Sequence, residues 1–200
     1  MIHPHTELQF INEQIGYGVV ATKLIPAGTI TWVLDKLDRA FTPSQKNALD
    51  PLYQEILDTY TYRDNKGNFV LCWDNGRFVN HSFKSSCMST AYDFEIAIRD
   101  IHPGEQLTDD YGYLNVTEPF EAMNEGTERK VVYPDDLLNF HQKWDSQLQK
   151  VFPNIEQVNQ PLEHLLPSTT REKISSIIRG KSTMDSILKN YFDPSSVKVG

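Results

Sequence analysis

The chain is short of cysteine, of long apolar runs and of positive charge. Only Cys72 and Cys87 occur among 200 residues, too few for a disulfide framework or a four-thiolate zinc site, so a reducing compartment, the cytoplasm, is the expected setting. The longest uninterrupted apolar run is Phe69-Val-Leu-Cys-Trp73, far below the roughly 20 residues a membrane span needs. The start Met-Ile-His-Pro-His lacks the basic and apolar regions of a secretory leader, and His3 and His5 there are expected to be solvated and metal-free. Nineteen Lys and Arg face 27 Asp and Glu, a net charge of −8. That balance opposes a phosphate-binding footprint and favours a basic partner, so a basic protein or peptide is expected and direct contact with nucleic acid or membrane is not.

What is present describes one globular chain, 39% hydrophobic and 23% charged, in two compositional stretches. Residues 1–114 read as β-rich. Short strands are expected at 8–11, 19–22 and 30–34, separated by turn residues that include Gly16, Gly18 and Pro26-Ala-Gly28. Thr42-Pro-Ser-Gln45 carries the signature of a capping box with proline at the first helical position, and Asp50-Pro51 repeats the start signal, so a broken helical insert is expected over about 43–59. Strands at 60–63 and 69–73 flank Asp64-Asn-Lys-Gly-Asn68 as a hairpin. A further strand, 94–98, sets Phe94, Ile96 and Ile98 on one face. Residues 115–200 read as a helical extension: Leu137, Leu138, His141, Trp144, Leu148 and Val151 recur at helical spacing, and Thr169-x-x-Glu172 and Ser182-x-x-Asp185 are capping-box candidates.

Three segments carry candidate chemistry. Gly16-Tyr17-Gly18 lacks the third glycine and following helix of a dinucleotide fingerprint; its glycines allow close approach of the backbone to a ligand. Arg77-Phe-Val-Asn-His-Ser82 packs a cation, an aromatic ring and three hydrogen-bonding side chains behind an apolar strand. Gly104-Glu-Gln-Leu-Thr-Asp-Asp-Tyr111 reads as a turn and a short strand, on which Asp109 and Asp110 point to opposite faces and cannot easily share a site. Singly, each is also compatible with an ordinary turn.

Together and in this order, the three segments resemble the SET-domain protein lysine methyltransferases, with their G-x-G, R-F-x-N-H-S and G-E-x-L-x-x-D-Y patterns, and small bacterial-type SET proteins in particular. The resemblance implies a mainly β fold of the SET β-clip type, with small curved sheets and a knot-like threaded segment beside the site, and an α-helical C-terminal extension. It implies S-adenosylmethionine as cofactor, S-adenosylhomocysteine as product, and a lysine amine of a protein or peptide as acceptor. It assigns Gly16, Tyr17, Gly18, Arg77, Asn80 and His81 to the cofactor and Tyr111 to the catalytic position. Tyr60-Thr-Tyr62-Arg63 looks like the family's aromatic-x-aromatic-Arg segment, which makes Tyr60 the second catalytic tyrosine. A catalytically inactive, peptide-binding SET-like module is the alternative the same resemblance leaves open.

Two departures stand out. Many relatives hold zinc with a cysteine after N-H-S and three more beyond the catalytic tyrosine; Phe83, Ala122, Asn124 and Arg129 occupy those positions here, so no zinc is expected. Packing by Phe83 and the helix beginning near Pro134 is expected to replace it. At Asp109 relatives place Phe or Tyr and thereby limit the number of methyl groups added.

Overall fold

The computed structural model describes residues 1–196. Strands β1 (Thr6–Asn12), β2 (Gly16–Ala21), β3 (Ile30–Val33) and β4 (Arg39–Phe41) come first, then helices α1 (Pro43–Asn47) and α2 (Pro51–Tyr60). Six short strands follow, β5 (Thr61–Arg63), β6 (Phe69–Leu71), β7 (Asn80–His81), β8 (Cys87–Ser89), β9 (Phe94–Ala97) and β10 (Thr108–Asp109). A two-stranded ribbon, β11 (Phe120–Glu121) with β12 (Val131–Val132), leads into helices α3 (Asp136–Val151) and α4 (Ser168–Ile178). The strands form small separate sheets: β1 with β2, β3-β9-β8, β4-β6-β5, and a parallel pair β7 with β10. This is the mainly β architecture with helical extension that the sequence implies.

The capping box at Thr42 forms as expected, with Thr42 Oγ1 accepting from Gln45 N–H at 3.2 Å and Gln45 Oε1 from Thr42 N–H at 2.9 Å. Asp50 caps α2 through Leu52 N–H at 2.9 Å, and the insert is broken between the two helices. Tyr60 corrects the hairpin boundary: it is the last residue of α2, not the first of the strand. The helix carries it because Thr61 N–H still reaches the Leu57 carbonyl, and the chain turns extended only at Thr61.

Helix α3 buries Leu137, Trp144, Leu148 and Val151 of the expected stripe against Ile30, Phe94 and Ile96 of the β3-β9-β8 sheet, whereas Leu138 of that stripe is exposed. Residues before and after 114 therefore share one core, and each fully buried Leu or Ile in it contributes roughly 1.5–3 kcal/mol. A second cluster of Val19, Ile25, Ala97, Ile101 and Leu107 sits behind β2. Two capping boxes expected in the extension do not form. Thr169 already lies inside α4, whose cap position is Pro167 and has no side-chain bond. Asp185 instead pairs with Lys189 Nζ at 2.8 Å, and the following turn is capped by Ser186. Asp145 of α3 holds that segment, accepting from Ser186 Oγ at 2.6 Å and Ile187 N–H at 2.8 Å.

His3 also departs from expectation. It is 3% exposed, its Nδ1 accepting from His5 N–H at 3.1 Å, and burial, helped by the neighbouring His5, pushes its pKa down to about 4. Among the described residues, no helix is long and apolar enough to cross a membrane.

Candidate active site

The parallel pairing of β7 with β10 sets Asn80 opposite Thr108 and His81 opposite Asp109, so two segments nearly thirty residues apart in sequence become neighbours. Ser82 N–H donates to the Asp109 carbonyl at 2.8 Å and locks the register. The Asn80 amide brings in the third segment, donating to Tyr17 O at 3.1 Å and Gln106 Oε1 at 3.0 Å. Gly18 permits this: a Cβ there would lie 2.5 Å from Gln106 Oε1 and 2.7 Å from Asn80 Nδ2. Internal packing alone thus requires a glycine at this position. Gly16 differs, with φ +78° and nothing within 4 Å of its notional Cβ, beside an exposed Tyr17 ring that meets Phe10 edge-on.

The expected site residues divide between two faces. Gly16, Tyr17, Gly18, Asn80 and His81 form one of them. Tyr60, Arg77 and Tyr111 line a cavity of about 940 Å³ on the other, together with Tyr62, Glu95 and Asp109. Arg77 sits at its exposed edge, donating to Trp73 O at 3.1 Å with its guanidinium 5.0 Å from the Phe78 ring. The Tyr60 ring meets Phe78 edge-on at 5.3 Å.

Tyr111 joins the two faces. Its backbone N–H donates to His81 Nδ1 at 3.1 Å, its ring lies 5.4 Å from the His81 ring, and its hydroxyl donates to Val79 O at 2.6 Å. Burial, reinforced by Asp109 and Glu95, raises the Tyr111 pKa far above its ordinary value. The hydroxyl therefore stays protonated and can orient a partner without becoming a base.

Burial also lowers the His81 pKa, which keeps the ring neutral. Since Nδ1 accepts a hydrogen bond, the proton belongs on Nε2, and that buried N–H has no partner. Phe83, Tyr111 and Phe120 surround the ring at 4.5, 5.4 and 5.5 Å. An orphaned donor within aromatic walls fits a ligand carrying a flat ring and hydrogen-bond acceptors. S-adenosylmethionine has both.

Asp109 and Asp110 do part company as their alternation requires. Asp109 is buried beside Glu95, its Oδ1 accepting from the Tyr113 hydroxyl at 2.8 Å. Asp110 faces the other way, to Arg129.

Where the resemblance puts zinc, the structure has a guanidinium. Arg129 Nη1 pairs with Asp110 Oδ2 and Nη2 with Asp136 Oδ2, while its plane lies 4.5 Å from the Phe83 and Phe140 rings and 5.8 Å from Trp144. Phe83 and α3 do take part, but the expectation of packing alone is amended: a charge network lies at the centre. A cation held between two carboxylates and three rings ties the Tyr111 turn to α3, much as a metal would. Gly112 makes room, for a Cβ there would stand 2.8 Å from Arg129 Nη2 and 2.9 Å from Asp136 Oδ2. Among the described residues, no group of three or more His, Cys, Asp and Glu is arranged to hold a metal ion.

Glu95, Gln106 and Arg129 were missed as site residues. Glu95 carried a signal, being the one charge in Phe94-Glu-Ile-Ala-Ile98; Arg129 was marked only as standing in a zinc position, and Gln106 carried none, since its partners are distant in sequence.

The family model of the SET domain matches residues 16–112. That span takes in all three segments and ends one residue beyond Tyr111. No curated protein matches the chain.

Proposed function

Because the chain is a SET-domain protein, and SET domains are mostly those of protein lysine methyltransferases, we propose that it transfers a methyl group from S-adenosylmethionine to a lysine side-chain amine of a basic protein or peptide. The observation that carries this reading is the position of Tyr111, bonded through its backbone to His81 on one face and lining the cavity on the other. His81 and the Gly16–Gly18 turn, with Asn80 bracing that turn, are the residues that would hold the cofactor. When bound, it supplies a methyl group on a positively charged sulfur.

The rest of the task falls to positioning and electrostatics. A lysine amine with a reference pKa of about 10.4 is neutral only about 0.04% of the time at pH 7, a handicap of roughly 4.6 kcal/mol. The cavity lowers that cost by desolvating the ammonium. The Tyr111 and Tyr60 rings narrow the approach, and the Tyr111 hydroxyl orients the nitrogen. The net charge of −8 draws in a basic substrate, and the cytoplasm is the compartment proposed.

Calorimetric titration with S-adenosylhomocysteine tests the cofactor reading; absence of binding at millimolar concentration sinks it. Incubating a lysate with isotope-labelled cofactor, followed by mass spectrometry, identifies the acceptor, and cofactor binding without any transfer leaves the inactive module standing. Tyr111→Phe should lower transfer at least a hundredfold, about 3 kcal/mol or more of transition-state stabilisation, while cofactor affinity changes less than threefold.

A further inference from the structure

Glu95 on β9 and Asp109 on β10 bring their carboxyl groups into hydrogen-bond contact with each other, and both line the cavity that holds Tyr60, Tyr62 and Tyr111. Buried carboxyl groups normally have a cation opposite them. Among the described residues, neither of these makes an ion pair. Asp109 takes the Tyr113 hydroxyl at 2.8 Å, and Glu95 Oε1 takes Ser89 Oγ at 3.1 Å.

The titratable groups packed against the pair are neutral, acidic or already matched, and among the described residues the cations elsewhere in the cavity wall, Arg63, Lys66, Arg77 and Lys189, make no ion pair with it. Cys87 faces it from β8, Tyr62 and Cys72 from the β4-β6-β5 side, and Tyr111 and Tyr113 from the turn after β10. Asp110 is held by Arg129, the Met1 ammonium sits 3.0 Å from Asp35, and His81, across β7, is neutral. A second feature of the cavity points to an occupant: Trp32, only 7% exposed, lines it with an indole N–H that has no partner. The cavity thus offers an unmatched negative site and an unmatched donor, which suits an alkylammonium attached to a carbonyl-bearing chain.

We propose that the Glu95–Asp109 carboxyl pair is the ammonium receptor of this cavity and the acceptor of the proton that the substrate amine must lose. The proposal rests on the reading above that an amine is the nucleophile. An N–H bond of the ammonium breaks, the proton forms an O–H bond on Asp109, and the nitrogen keeps the electron pair. That pair then makes the new nitrogen–carbon bond, while the electrons of the broken carbon–sulfur bond stay on sulfur. Asp109 returns its proton to water after product leaves. Tyr111 cannot perform this step, because its hydroxyl is held protonated and donates to Val79 O. Burial raises Asp109 to about 6 and Glu95 well above the carboxylate range, so near neutrality the pair keeps one proton and one negative charge.

The test is a protein-observed NMR titration of the full chain with n-butylammonium chloride, and with n-butanol as the uncharged control, from pH 5 to 9. The ammonium should bind at least tenfold more tightly than the alcohol at pH 7.5. This preference should shrink at least fivefold at pH 5, as Asp109 takes up its proton. Asp109→Asn should abolish the preference, and Glu95→Gln should shift its pH dependence. Should Asp109→Asn fail to fold, the wild-type pH series and Glu95→Gln decide. Equal binding of the two probes, no binding of either, or an unchanged preference in Asp109→Asn overturns the proposal. The titration needs no cofactor, so a failed receptor is told apart from a failed methyltransferase reading, which S-adenosylhomocysteine binding decides separately.

Discussion

Two pairs of carboxyl groups lie on opposite sides of the Tyr111 turn. Asp110 and Asp136 meet the guanidinium of Arg129; Glu95 and Asp109 meet only hydroxyls and each other. The first pair is completed by the chain itself and braces the turn. The second is left short of a cation, in a cavity, beside the tyrosine assigned to catalysis. Adjacent aspartates, Asp109 ending β10 and Asp110 capping the turn that follows, thus serve ligand on one face and structure on the other, because consecutive extended residues send their side chains apart.

The largest effect should come from opening the closed pair. Arg129→Ala leaves two buried carboxylates unmatched and is expected to cost about 3–5 kcal/mol, read as a fall in the denaturant midpoint; a loss under about 1 kcal/mol would mean the network is not a brace. Next comes removal of charge from the unmatched pair. The folded pKa of Asp109, about 6, lies above its ordinary value. The favourable contribution of its protonated form is therefore complete below about pH 4 and is lost as pH rises through about 6. Asp109→Asn escapes that loss, so its stability relative to wild type should climb across this window and level off on the order of 2–3 kcal/mol higher. A flat difference between pH 4 and 7 would deny that the pair is strained. Gly112→Ala pushes a methyl group against Arg129 and Asp136 and should cost roughly 1–2 kcal/mol, and less in an Arg129→Ala background, where only the Asp136 contact remains. The smallest effect concerns metal: a chelator should leave the melting midpoint of the wild type unchanged, and a fall would place a second cation where only the guanidinium is drawn.

Local signals were legible in the sequence where the physics is local. Thr42 and Asp50 cap the helices they announce, Leu137, Trp144, Leu148 and Val151 of the α3 stripe are buried while Leu138 is not, and the three ordered segments meet through β7, β10 and the Asn80 amide. The rest depended on contacts between distant residues. Tyr60 was placed on a strand because aromatic and β-branched residues follow it, yet α2 extends to include it. Asp185 was a plausible capping residue until Lys189 and Tyr92 claimed it. Arg129 was noted only as a residue standing where the resemblance puts a zinc cysteine. Its value lies in Asp110, Phe83 and Asp136 converging on it, a convergence no spacing rule contains. Glu95 was not singled out, because Phe94, Ile96 and Ile98 define only one face of its strand, and the wall opposite it draws on separate segments that include Tyr60, Tyr62 and Tyr111.

Asn115 bears on the order in which the site is assembled. Its amide donates to Arg63 O at 3.0 Å and to Asn190 O at 2.8 Å, and its side-chain oxygen accepts from Phe192 N–H at 3.0 Å. The Tyr111 turn is thereby fastened to residues 75 and 77 positions further along the chain. Contacts so distant in sequence form slowly. The three segments can therefore meet before the tie that fixes the turn beside them exists, and the last loop to close sets the pace at which the site becomes rigid.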